Sequence, residues 1–232
     1  MRRSILRVAL PVALSACGAC ATATRATISS PAALANLSDS VFFRADSFLV
    51  RLETTKGVID LMVRRDWAPQ GAPRVGQAVY AGYYDGARFF RALRGFVVQW
   101  GIAADSAATA TWSSRSIPDD TVRQSNRRGT VSFAAGGPNT RTVQLFFNLR
   151  DNARLDWLGF APIGEVIAGM DVVDALHTDY GEGAPAGNGP TQTRLRSEGE
   201  SYLAKEFPLL DQIVSASVVR VWLDGDSPPA AP

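Results

Sequence analysis

Between Phe48 and Leu223 the chain divides into about eight short strand-like runs and only two or three helix-like ones, and the two kinds do not alternate. No other feature limits the fold as much. Parallel sheets need a helical crossover after nearly every strand, so the pattern argues against a doubly wound α/β fold. Phe48-Leu49-Val50-Arg51-Leu52-Glu53-Thr54 reads as a half-buried strand, Thr55-Lys56-Gly57 as its turn, and residues 58–63 as the return strand. Further strands are predicted at 89–93, 96–100, 130–134, 144–149, 163–167 and 213–223. Pro73 opens a helix that carries Val75, Ala78, Val79 and Tyr80 at helical spacing. Two more helices are predicted at 170–176 and at 200–206, the latter stopped by Pro208. Many short strands with unshielded edges are best resolved by closing the sheet on itself. The expectation is therefore a mainly β, closed antiparallel barrel capped by helices; pattern alone leaves a two-sheet sandwich open.

Composition then removes whole classes of chemistry. The chain has one histidine, His177, and two cysteines, Cys17 and Cys20. No disulfide and no cysteine-rich zinc site can form beyond position 20, and one histidine cannot supply a multi-histidine metal site. A net charge of +2 is too small to argue for nucleic acid. A mean hydropathy of -0.01 argues against a polytopic membrane protein.

The N-terminus reads as an address. Arg2, Arg3 and Arg7 precede or flank a short apolar run that is too brief to span a bilayer, the layout of a secretory signal over residues 1–16. Leu14-Ser15-Ala16-Cys17 resembles the bacterial lipobox, in which the cysteine becomes the first mature residue and carries lipid. Ordinary cleavage near Ala21, Ala23 or Ala26 is the alternative. Loss of residues 1–16 takes three of the 24 basic residues and none of the 22 acidic ones, so the mature protein is near neutral. Residues 17–46 are rich in Ala, Thr and Ser and read as a flexible tether, with a short helix around Pro31 to Leu37. The body spans 47–224, and 225–232 reads as a disordered tail.

Three segments carry a resemblance. They are Phe89-Phe90-Arg91-Ala92-Leu93-Arg94-Gly95-Phe96-Val97-Val98-Gln99-Trp100-Gly101; Gly129-Thr130-Val131-Ser132-Phe133-Ala134-Ala135-Gly136-Gly137-Pro138-Asn139-Thr140, running on to Gln144-Leu145-Phe146-Phe147; and Leu155-Asp156 followed by Phe160-Ala161-Pro162-Ile163-Gly164. In order and spacing they resemble the cyclophilin-type peptidyl-prolyl cis-trans isomerases. The resemblance implies a closed eight-stranded antiparallel barrel capped by two helices, with neither metal nor cofactor. It implies that Arg91 is the catalytic arginine and that Phe96, Val97 and Phe146 form the proline pocket. Gln99 and Gln144 would orient the arginine and the peptide, Ala134 and Ala135 would meet the peptide through their backbone, and Leu155 would form the apolar rim. The family's rim tryptophan falls at about Arg154 and its rim histidine near Gly159 or Phe160. Trp157 is a candidate to replace the lost surface, and weak inhibition by cyclosporin is expected.

The bare residues would not have singled out this site. Arg91 reads by default as an exposed strand charge, and Phe96 and Phe146 as core aromatics. His177 suits a helix C-terminus, and the glycine-rich stretch from Gly181 to Pro190 reads as a surface loop. The expected function is prolyl isomerisation on proline-containing segments of exported proteins, by a monomer held to the bacterial envelope through Cys17, or soluble in the periplasm if unlipidated. A cyclophilin-like lipoprotein that binds such segments with little turnover is the alternative.

Overall fold

The computed structural model describes residues 26–223. The expected signal at 1–16, the expected anchor at Cys17 with its neighbour Cys20, and the expected disordered tail at 225–232 all lie outside the described residues.

Among the described residues the sheet has nine strands: β1 (Ala26–Ile28), β2 (Ala45–Thr54), β3 (Gly57–Arg64), β4 (Arg91–Leu93), β5 (Val97–Trp100), β6 (Thr130–Phe133), β7 (Leu145–Asn148), β8 (Pro162–Ala168) and β9 (Ile213–Leu223). Its order is β1-β9-β2-β3-β8-β6-β7-β5-β4, every pair antiparallel. The residues leading into β4 join the start of β9. Phe89 N donates to Asp211 O at 3.0 Å, Ile213 N to Ala87 O at 2.8 Å and Gly86 N to Ile213 O at 2.8 Å. These bonds close β2 to β9 into an eight-stranded barrel, while β1 borders the far end of β9. Closure leaves few unpaired edges, which is what so many short strands require.

Among the described residues seven helices accompany the barrel: α1 (Pro31–Ala35), α2 (Gly71–Tyr80), α3 (Ser106–Ser113), α4 (Arg154–Trp157), α5 (Met170–Asp174), α6 (Gln192–Glu198) and α7 (Glu200–Glu206). α2 caps the barrel with Ala72, Val75, Ala78 and Val79, and α5 adds Val173, followed by Leu176. The inward residues of the strands, among them Val50, Leu61, Val98, Trp100, Val131, Phe133, Leu145 and Phe147, fill the main core. Trp100 sits among Tyr84 at 4.8 Å and Phe147 at 5.7 Å. Such aromatic pairs add to the area they bury.

Residues 26–44 pack against the barrel and do not form the tether expected over 17–46. β1 pairs with the end of β9, and α1 lies within the helix foreseen around Pro31 to Leu37. A 3-10 turn at Asp39–Phe43 delivers Phe42, fully buried, against Phe48 at a ring distance of 5.1 Å. A Cβ on Gly76 would meet the Phe42 ring at 2.3 Å, so the glycine is what lets that ring lie on α2. One buried aromatic outweighs the small-residue composition that suggested a tether, because burying a phenylalanine contributes roughly 1.5–3 kcal/mol.

A second apolar cluster lies apart from the main core. Leu195 of α6 and Tyr202 and Leu203 of α7, with Phe207 and Leu210, pack on Phe90 and Ile102. This helical pair, inserted between α5 and β9, is thereby fixed beside the strand that carries Arg91.

Candidate active site

Strand register assembles the site. Arg91 on β4 stands opposite Gln99 on β5, and Gln99 stands opposite Phe146 on β7. Successive side chains on a strand alternate between faces. While Ala92, Val98, Trp100, Leu145 and Phe147 point into the core, Arg91, Val97, Gln99 and Phe146 therefore share the outer face. There Val97, Phe146 and Leu155 form a small apolar cluster of their own, joined by Phe96, Ala134 and Phe160.

These side chains surround a cavity of about 300 Å³ lined by Arg91, Phe96, Val97, Gln99, Ala134, Ala135, Phe146, Leu155, Phe160 and Gln192. The volume is at the lower end of small-ligand pockets. Eight of the nine body positions singled out from the sequence line it. The ninth, Gln144, stands beside it in a neighbouring polar cavity shared with Gln99, Ala134 and Ala135. The polar residues form one chain of hydrogen bonds. Arg91 Nη1 donates to Gln99 Oε1 at 3.1 Å, and Gln99 Nε2 donates to Gln144 Oε1 at 2.9 Å. On its other edge the guanidinium donates twice to Glu182, through Nε at 2.6 Å and Nη2 at 2.7 Å.

The rim departs from the expectation about Trp157. That side chain is 92% exposed and does not line the cavity. Phe160 lines it instead, edge-on to Phe146 at 5.7 Å. Arg154, about where the resemblance puts the family's rim tryptophan, places its guanidinium 4.9 Å from the centre of the Phe96 ring. The aromatic wall is thus covered by a cation, a contact that stabilises by roughly 0.5–1 kcal/mol where exposed.

Beneath the rim lies a buried polar network that the sequence reading missed. Asn126 Nδ2 donates to Phe160 O at 2.7 Å and to Asp156 Oδ1 at 2.7 Å, and Ser132 Oγ donates to Asn126 Oδ1 at 2.8 Å. Asn148 donates to Asn126 Oδ1, and Asn152 bridges Asn148 Oδ1 to Phe96 O. The network ties three pocket segments, those holding Phe96, Leu155 and Phe160, to β6 and β7. Its only signal in the sequence is a scatter of asparagines.

Asp156 anchors the rim turn. Burial would raise its pKa, but the Ser125 hydroxyl and the side chain and backbone of Asn126 donate to its carboxylate and hold it below the usual range. A carboxylate lowered on folding stabilises the native state above its unfolded pKa, and loses that contribution as pH falls through the folded value. Asp156→Asn is therefore expected to cost about 1–2 kcal/mol near neutral pH. The gap to wild type should begin to narrow below about pH 4 and close as pH falls through the folded value. Urea denaturation at both pH values checks this; a gap independent of pH would contradict it.

The sequence profile described as "Cyclophilin type peptidyl-prolyl cis-trans isomerase/CLD" matches residues 49–196. The chain belongs to the cyclophilin family. It is 34% identical over 142 residues to peptidyl-prolyl cis-trans isomerase A of Dickeya dadantii, covering 58% of this chain and 74% of that protein. A peptidyl-prolyl cis-trans isomerase of Arabidopsis thaliana is 33% identical over 140 residues, covering 58% of this chain and 86% of the other. Among solved structures, a Cryptosporidium parvum cyclophilin crystallised in the presence of the dipeptide Ala-Pro superposes with a TM-score of 0.54 at 19% identity. That match covers 73% of this chain and 98% of the other, and it supports the fold. The cyclophilin profile ends inside α6, so α7 lies beyond it.

Proposed function

We propose that this cyclophilin accelerates cis-trans isomerisation of X-Pro bonds in exported polypeptides, with Arg91 as its catalytic residue. The observation that carries the reading is the guanidinium of Arg91, held by Gln99 at the edge of an apolar cavity walled by Phe96, Phe146 and Leu155.

Rotation about an amide has a barrier of about 18–20 kcal/mol because it breaks C–N resonance. Uncatalysed prolyl isomerisation therefore takes on the order of 10–100 s. No covalent bond is broken, so the reaction needs no nucleophile, metal or general acid. It needs an environment that binds the twisted amide better than the planar one. In the twisted state the proline nitrogen regains a localised lone pair. A guanidinium N–H from Arg91 donates to it, and the bond is stronger there than to the planar amide. The ring sits against Phe96, Val97, Phe146 and Leu155, while Gln99 and Gln144 hold the arginine and the peptide in register. Ala134 and Ala135 offer their backbone to the substrate, and their small side chains leave the approach open.

The export reading rests on residues 1–17: a basic start, a short apolar run and Cys17 in a lipobox-like setting. Slow prolyl steps can limit the folding of exported chains. Mass spectrometry of the mature N-terminus should find a lipid-modified Cys17; an unmodified terminus beyond it would refute the anchor. The isomerase reading is tested by refolding a protein whose slow phase is prolyl-limited. Catalytic amounts of this chain should speed that phase. A protein that acts only at stoichiometric amounts, or slows refolding, would be a binding module.

A further inference from the structure

Arg91 has a partner that none of the three segments carrying the family resemblance supplies. Glu182 lies in the glycine-rich loop between α5 and α6, and its carboxylate takes the Nε–Nη2 edge of the guanidinium in a two-point ion pair at 2.6 and 2.7 Å. The carboxylate is itself oriented, since Gly183 N donates to the same Oε1 at 2.9 Å. The Glu182 backbone is fixed as well. Gly189 N donates to Glu182 O at 2.8 Å, and Ala184 N donates to Gly189 O at 3.1 Å. A Cβ on Gly187 would come within 2.4 Å of Glu182 O, so the loop can close on this residue only with glycine there.

Glu182 does not sit in the proline cavity. It lines a separate cavity of about 450 Å³ with Phe90, Pro185 and Thr191, and the two cavities share only Arg91 and Gln192. The carboxylate therefore meets the arginine from the side away from the aromatic pocket. A guanidinium has five N–H donors. Two go to Glu182 and one to Gln99, which leaves one N–H on each Nη for a substrate. The Arg91 bond, helped by the Gly183 N–H and opposed by burial, keeps the Glu182 carboxyl below its usual range.

We propose that Glu182 is a positioning residue for isomerisation: it locks the Arg91 guanidinium in the plane and direction from which it meets the twisted amide. Without it, Arg91 would be held by a single bond to a neutral side chain, and a long side chain retains much rotamer freedom under that restraint. A charge-assisted two-point pair removes that freedom and fixes the plane. The carboxylate also offsets part of the cation's field. The pair is part-exposed, with side-chain exposures of 23% for Arg91 and 36% for Glu182, so solvent screens that opposing effect and orientation dominates.

The inference rests on Arg91 being the catalytic donor, and the test separates the two claims. Glu182→Gln and Glu182→Ala are expected to lower kcat/KM for an X-Pro peptide by roughly three- to tenfold, the range for freeing one long side chain. The loss should fall on kcat, with KM within about twofold, and Glu182→Asp should be intermediate. In wild type the Arg91 Nε–H should exchange slowly with water by NMR, and in Glu182→Ala as fast as that of an exposed arginine. Unchanged or raised kcat/KM in both folded variants would overturn the proposal, a rise marking Glu182 as a competitor of the substrate. A wild-type protein with no isomerase activity would overturn the catalytic reading together with this one.

Discussion

Arg91→Ala is expected to lower kcat/KM for X-Pro isomerisation by roughly ten- to a few-hundredfold while the protein stays folded. One charge-assisted hydrogen bond to the twisted amide is worth about 1.5–3 kcal/mol, and each tenfold in rate corresponds to about 1.4 kcal/mol. The remaining acceleration comes from holding the ring in a partly dry pocket, so the variant should keep residual activity. Stability should change little, because the stranded Glu182 carboxylate is 36% exposed and can hydrate. Arg91→Lys should recover only part of the loss, since an ammonium cannot pair with Glu182 and Gln99 in one plane. An alanine variant with wild-type kcat/KM, measured by peptide relaxation kinetics, would remove Arg91 from the mechanism.

Asp120→Ala should be strongly destabilising although it lies away from the pocket. Asp120 accepts from the backbone N–H of Gln70 and Gly71, each at 2.9 Å, at the start of α2, where no side chain of the helix itself provides a cap. It also receives Arg141 Nη1 at 3.0 Å, in a pair whose side chains are 4% and 1% exposed. Removing it strands two helix donors and a buried guanidinium. Breaking a buried pair from one side costs about 3–5 kcal/mol. Asp119, 3.2 Å from Arg141 Nε, retains part of the compensation and places the expected loss near the lower end. The urea midpoint should fall with the m-value unchanged. Because Arg141 also lies over the Phe133 ring at 5.3 Å, next to Ala134, substrate affinity should weaken before the fold is lost. A loss below about 1 kcal/mol would show that water replaces the carboxylate freely.

The barrel was legible wherever burial follows a period of two. The limits of β9, 213–223, and of α7, 200–206, coincide with the expected ones, and β2 and β3 differ only at their ends. α6 went unread because Gln192–Glu198 carries a single apolar residue, Leu195, and such a helix has no periodic stripe to detect. α3, built of Ala, Ser and Thr around Trp112, fails for the same reason. The tether was misjudged at Phe42, whose burial depends on a ring-sized gap at Gly76, in another element. Within the site, the positions taken from the family resemblance converge on one cavity because the register places Arg91, Gln99 and Phe146 in a row across three strands. Glu182, Asn126 and Asn152 were invisible because they lie in loops, Gln192 because it opens a polar helix, and Asn148 because nothing local marks the end of β7 as part of a buried network. His177 lies outside the site, its backbone N–H donating to Asp211 at 2.8 Å and its ring 4.9 Å from Tyr180.

Whether this barrel turns over prolyl bonds is decided by NMR exchange spectroscopy on a short X-Pro peptide. Wild-type protein at about one-hundredth of the peptide concentration should bring cis-trans exchange, normally on the order of 10–100 s, into a range of a second or less. Exchange no faster than in buffer, with the peptide seen to bind, would contradict the account.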